Sequence, residues 1–302
     1  SRGLGDVYKR QTENRQESPS VMKRFDARLT DRDFERFSRL VYEHCGIKLP
    51  PHKRSMLEAR LRKRLRAHDL HTFEDYAEMV FAQEDCTEEM VKLIDVVTTN
   101  KTDFFREPAH FDYLVQSALP FMVNRFDSGI KQPLKVWSAG CSTGKEPYTL
   151  AMILQEYQLR MAEFHFDILG TDICTEALEK AVLGIYAADK AEPIPTDLKK
   201  RYLLKSKDPG MRQVRIIPEL RSMVRFRRLN FMETDFGFRE PFDVIFCRNV
   251  IIYFDRPTQE RLLTKLVDNL ASGRYIFLGH SETLLGLDLP LTQMAPSVYR
   301  RL

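Results

Sequence analysis

In Ala139-Gly140-Cys141-Ser142-Thr143-Gly144-Lys145-Glu146 a glycine turn runs directly into a charged pair, the kind of segment that holds the polar part of a nucleotide. Two nucleotide chemistries fail to fit it. A phosphate loop has four residues between its glycines and Ser or Thr after its Lys, whereas here three intervene and Glu146 follows. A dinucleotide fingerprint needs a third glycine, and only Gly140 and Gly144 are present. A carboxylate at the opening of a helix also repels a triphosphate. A nucleoside without phosphates remains, and S-adenosylmethionine is the common one whose sulfonium and ammonium groups are positive, which gives Glu146 a purpose. Asp172 ends the apolar run ILGTD, where a carboxylate can accept both ribose hydroxyl protons or, more plainly, cap a helix starting near Thr175. Arg248 and Asn249 end a second such run, FDVIFCRN, and Asn both donates and accepts as an adenine or amino acid group requires.

These residues converge only if their runs are neighbouring strands. PLKVWSAG, a helix from Glu146 to about Met161 and HFDILGTDI form strand, helix and strand, a βαβ unit. FDVIFCRN and GRYIFLGH, with a helix over 257–270 between them, extend it to a doubly wound α/β sheet that binds at its C-terminal edge. A helix is expected at 107–126. Residues 180–230 break the βα rhythm and predict a small antiparallel β insertion. Upstream, Phe34, Phe37, Val41 and Cys45 recur at helical spacing between Thr30 and Gly46, and Leu57, Leu61 and Leu65 stripe a second helix. Thr72 and Thr87 are placed to open two more. The expected organisation is a tail at 1–25, native or foreign, a small all-helical domain at 26–95, a linker at 96–106 and an α/β domain at 107–302.

The 302 residues are 43% hydrophobic, too apolar for a disordered chain, and the net charge of +4 is too small for a surface given wholly to nucleic acid. Any basic function must be local. The second helix supplies one: positions 53–66 hold seven basic residues against Glu58 alone. Five scattered cysteines form no CxxC pair and imply a reducing compartment and no metal site. No apolar run approaches the roughly 18 residues of a membrane span. A cytoplasmic location follows as an expectation. His280 and Ser281 are adjacent and lack a nucleophile elbow, so they read as a turn, and Cys141 and Cys247 are assigned no role.

VTTNKTDFFRE at 97–107, VWSAGCSTGKEPYTLA at 136–151, LGTDI at 169–173, FCRNVIIYF at 246–254 and GHSE at 279–282 together resemble the CheR-type chemotaxis receptor methyltransferases. The resemblance runs through most of residues 26–302. It implies a Rossmann-like, class I S-adenosylmethionine-dependent methyltransferase that forms methyl esters on glutamate side chains of transmembrane chemoreceptors. It also implies a cofactor pocket of Asn100, Thr102, Arg106, Glu146, Asp172, Asn230, Phe231, Arg248 and Asn249, with Arg106 and Tyr253 facing the methyl group. Lys145 stands where the family often has a second Glu, and is expected to point outward. The loop through which some members bind a receptor C-terminal pentapeptide reads KSKDPGMRQ here, with one glycine, so tether binding is not implied.

Glutamate is ionised near pH 7, so such a transfer needs positioning rather than a general base. Lys53, Arg54, Arg60 and Arg64 of the basic helix are expected to face the acidic helical region of the receptor, so charge reversal at Arg60 and Arg64 should spare cofactor affinity. The expected partner is that cytoplasmic region, with no nucleic acid, no membrane insertion and a monomeric enzyme. Two other readings stay open: a docking module that keeps the cofactor as a ligand, and a nucleic-acid methyltransferase, although the Asn/Asp-Pro-Pro-aromatic motif usual in base methylation is replaced by Asn249-Val-Ile-Ile-Tyr253.

Overall fold

The computed structural model describes residues 28–82, 88–208, 210–284 and 286–302. The expected tail and the expected cap at Thr87 lie outside them. Helix α1 (Asp31–Cys45) opens where the Thr30 hydroxyl accepts the Asp33 N–H at 3.1 Å, and closes at Gly46 with φ 71°. A Cβ at Gly46 would lie 2.7 Å from Met232 Sδ, so glycine serves both the left-handed turn and a close approach between domains. Helices α2 (Arg54–Ala67), α3 (Phe73–Phe81) and α4 (Glu88–Val97) complete the domain. Leu57, Leu61 and Leu65 are wholly buried in one cluster with Phe37, Tyr76 and Leu93, as their spacing predicts.

Helices α5 (Ala109–Tyr113) and α6 (Leu119–Phe126) run on through a π turn at Leu114–Ala118, which accommodates Pro120 and its missing N–H. The sheet then begins: β1 (Leu134–Ala139), α7 (Lys145–Arg160), β2 (Phe166–Asp172) and α8 (Thr175–Leu183). The insertion is β3 (Ile185–Ala187), α9 (Thr196–Tyr202), β4 (Leu203–Lys205) and β5 (Gln213–Ile216), paired antiparallel as β3-β5-β4. Helix α10 (Pro218–Ser222) leads to β6 (Val224–Arg228), then β7 (Phe242–Cys247), α11 (Arg256–Asp268), β8 (Leu270–Leu278), β9 (Leu291–Ala295) and β10 (Val298–Arg301).

The large sheet has the order β6-β2-β1-β7-β8-β10-β9, with β6 to β8 parallel and the last two strands antiparallel. It is doubly wound: Val136, Val244 and Phe246 pack on one face with Leu119 and Leu150, while Trp137, Ile245 and Ile276 pack on the other with Leu262 and Leu266. Strand order reverses between β1 and β7, so their C-terminal ends open a crevice. The insertion is narrower than 180–230, because Val224–Arg228 is the parallel edge strand of the main sheet. The closing β9–β10 hairpin, too short to show a periodic pattern, is an addition to the expected strands.

The helical domain docks over this crevice. Asp95 of α4 accepts the Thr175 N–H at 2.8 Å and bonds the Thr175 hydroxyl, capping α8 from the other domain. Tyr42 donates to Asp255 at 2.8 Å, and the Lys48 N–H to the Tyr253 carbonyl at 2.9 Å.

Candidate active site

A cavity lies between the C-terminal ends of β1, β2 and β7, the linker and the start of α2, with about 1140 Å³ of empty space including its open side. Its floor begins at the glycine turn. Gly140 (φ 80°) and Gly144 (φ 85°) are left-handed, and a Cβ on either would strike Val250 or Ala181. They are needed for close packing, and the turn points one amide at a carboxylate: the Ser142 N–H donates to Asp172 Oδ2 at 2.7 Å, while the Cys174 N–H, just beyond β2, donates to Oδ1 at 2.9 Å. Burial pushes the Asp172 carboxyl above the usual range, against the pull of those N–H groups.

Glu146, in the first turn of α7, accepts the Ser138 hydroxyl and Arg248 Nε, both at 2.8 Å. Its charge is therefore matched inside the protein, so it does not supply the free negative potential expected of it. The Arg248 side chain, 2% exposed, also donates from Nη2 to the Arg106 carbonyl at 2.7 Å and from Nη1 to His110 Nδ1 at 3.0 Å. Burial, helped by the Arg248 charge, pushes His110 down to about 4, so the imidazole is neutral and accepts. Glu107, His110 and His280 bring ligand-type atoms within 4.8 Å of one another, but the guanidinium lies 3.7 Å from Glu107 and supplies the positive charge there.

The linker crosses the cavity with Asn100, Thr102 and Arg106 on its wall. Asn100 Nδ2 reaches Cys174 Sγ at 3.1 Å, and Phe105 (φ 51°) and Glu107 (φ 57°) hold left-handed backbone on either side of Arg106. Opposite them, Asn249 (φ 59°) and Tyr253 sit on the loop after β7. That loop is organised by Glu282, whose buried carboxylate accepts the N–H groups of Asn249, Val250, Ile251 and Gly279 at 2.5–3.0 Å. In sequence Glu282 is a polar residue in a turn, with no periodicity to mark it.

Phe231 and Lys53 line the cavity as well, with Leu229 and Ile173 adding apolar wall. Asn230 does not: its side chain donates to the His44 carbonyl at 2.5 Å and accepts the Met232 N–H, tying the domains together. Three of the basic-helix residues are also turned to other uses. Arg54 bonds the Leu29 carbonyl and Asp31, Arg60 bonds the carbonyls of Val97 and Thr98 and the Thr99 hydroxyl, and Arg64 pairs with Glu89 at 2.5 Å. Arginine forks find carbonyls and carboxylates within reach of a helix that packs one stripe against its domain, so a count of charges overstates what reaches solvent. Lys145 is buried rather than outward, its Nζ 2.8 Å from the Thr102 carbonyl.

The donor set suits a nucleoside lacking phosphates: apolar walls, Asp172 at a strand end, and a glycine turn whose Ser142 amide is already satisfied by a carboxylate. Residues 32–98 match the CheR methyltransferase all-alpha domain, and residues 100–299 the CheR methyltransferase SAM binding domain. The chain belongs to the CheR methyltransferase family. It is 37% identical over 274 residues to a chemotaxis protein methyltransferase of Borreliella burgdorferi, covering 90% of this chain and 95% of that one. It is 38% identical over 271 residues to those of Salmonella typhimurium and Escherichia coli, covering 90% of this chain and 90% and 91% of theirs. As a CheR-family enzyme it is an S-adenosylmethionine-dependent methyltransferase of chemotaxis, and S-adenosylmethionine is its cofactor. No helix among the described residues is long and apolar enough to cross a membrane.

Proposed function

We propose that this methyltransferase esterifies glutamate side chains in the cytoplasmic helical region of chemoreceptors. The observation that carries the reading is the charge arrangement of the cavity. Its two carboxylates, Glu146 and Asp172, are buried, whereas Lys48, Lys53 and Lys101 line it from exposed positions beside half-buried Arg106. A cavity with a cationic rim draws in an anionic acceptor and raises its encounter rate.

Bound S-adenosylmethionine supplies an electrophilic methyl group. The chain supplies position. Asp172 and Asn100 hold the nucleoside, Phe231 and Ile173 pack beside it, and Arg248 fixes the Arg106 backbone. Arg106 orients the acceptor carboxylate by charge-assisted hydrogen bonds, and Tyr253 across the cavity holds its second oxygen. An acceptor already ionised at neutral pH requires no base, and among the described residues no histidine lines the cavity.

The test is methylation of a receptor cytoplasmic fragment with labelled cofactor, followed by mild alkali. Label released as methanol and mapped to glutamates supports the reading. Label that survives alkali, or that enters nucleic acid, refutes it.

A further inference from the structure

Lys145 is an awkward residue for its place. It occupies the first position of α7, where the helix dipole disfavours a cation, and only 9% of it is exposed. Burial lowers its tendency to stay charged. A side chain held there against both penalties needs a partner, and its partner is the linker: Nζ donates to the Thr102 carbonyl at 2.8 Å and lies 4.0 Å from Asp103. One turn on, Thr149 Oγ1 accepts the Phe105 N–H at 3.2 Å while donating to the Lys145 carbonyl at 2.8 Å. The inner side of the same first turn carries Glu146, which orders Arg248 and so the Arg106 carbonyl.

The linker between these grips is the segment that needs them. Left-handed backbone at Phe105 and Glu107 is strained for non-glycine residues and persists only when neighbours enforce it. Phe104 supplies one anchor, buried edge-on against Tyr186 with ring centroids 5.0 Å apart. Between that anchor and Arg60 at the start of the linker, the Lys145 ammonium ties the Thr102 stretch to α7, whereas the longer 3.4 Å bond from Arg106 Nη1 to the Lys101 carbonyl comes from within the linker itself.

We infer that Lys145 is a positioning residue: it clamps residues 101–103 onto the start of α7 so that Asn100, Thr102 and Arg106 stand ready for the cofactor. Lys145 itself does not line the cavity. The inference rests on cofactor binding and not on which acceptor is methylated. If the clamp is released, the linker samples other conformations, and apparent affinity falls by the fraction of time it is out of place.

The experiment compares Lys145→Met with the native chain by calorimetric binding of S-adenosylhomocysteine and of sinefungin, which carries an amine in place of the sulfonium. Hydrogen exchange of residues 100–107 is followed without ligand. Loss of one charge-assisted hydrogen bond predicts affinity lower by about ten-fold for both ligands, with faster exchange in the linker. Lys145→Arg restores most of both. Asp103→Asn, at a half-exposed residue, shifts both readouts the same way by a smaller factor and serves if the Met variant fails to fold. Unchanged affinity and exchange overturn the inference. So does sinefungin gaining on S-adenosylhomocysteine in the Met variant, because the cation would then act by repelling ligand charge rather than by holding the linker.

Discussion

Helix α2 and the rim of the cavity are both cationic, and they use charge in opposite ways. In α2, Arg54, Arg60, Arg62 and Arg64 all turn to carbonyls or carboxylates of their own domain. At the rim, Lys48, Lys53 and Lys101 come from loops and a helix start, remain exposed and make no side-chain hydrogen bond or close ion pair among the described residues, although Lys48 is near enough to Asp255 to attract its carboxylate. The densest run of basic residues is therefore mainly structural, and the positive face offered to a substrate is assembled from isolated lysines. Side-chain type helps explain the split. A guanidinium has five donors in a fixed fork and loses little when several are satisfied internally, whereas an ammonium on a flexible stem keeps its hydration.

Reversing charge in each region should break the symmetry between them. The largest effect is expected from Arg64→Glu, which sets a carboxylate against the largely buried Glu89 and should cost about 3–5 kcal/mol in a urea titration. Arg60→Ala removes the contacts to Val97, Thr98 and Thr99 and should cost about 1–3 kcal/mol. It should also weaken S-adenosylhomocysteine binding, because those contacts anchor the start of the linker; unchanged affinity would restore Arg60 to a purely surface role.

Acid should also reach the interior before the rim. His110 sits near 4 when folded against an ordinary 6.5, so between those values the unfolded chain holds a proton that the native state lacks. Stability should fall as pH drops from 6.5 through 4, by at most about 1.4 kcal/mol per pH unit from this group, and His110→Asn should flatten that slope in melts across the range. The smallest stability change belongs to the rim: Lys48→Glu, Lys53→Glu and Lys101→Glu together should move unfolding by less than about 0.5 kcal/mol per site. The same triple variant should raise KM for an acidic acceptor roughly ten-fold and flatten its salt dependence, with cofactor affinity retained.

The framework was legible in the sequence wherever burial imposes a period. Phe34, Phe37, Val41 and Cys45 lie on the inner side of α1, and the unbroken runs VWSA and VIFC are strands buried on both faces of the sheet. Motifs on strand ends were legible too, since Asp172, Arg248 and Asn249 stand where a parallel sheet opens. Side-chain direction on loops and polar helix faces was not. Asn230, one residue from wall-lining Phe231, turns toward the helical domain, and nothing in its neighbours separates those two fates. Lys145 and Glu282 escape for a related reason: each is a charge whose meaning lies in backbone groups remote in sequence, and backbone groups carry no letter.

Asp95 carries a lesson for anyone recombining members of this family. The boundary between the two family domains falls just after residue 98, yet the helix that begins beside Asp172 takes its cap from Asp95, on the far side of that boundary. A cut in sequence at the linker is thus not a cut in hydrogen bonding. A chimera joining the helical part of one relative to the catalytic part of another inherits half of a bond from each parent. The residues facing each other at 95 and 175 are therefore a first criterion of compatibility between the two halves.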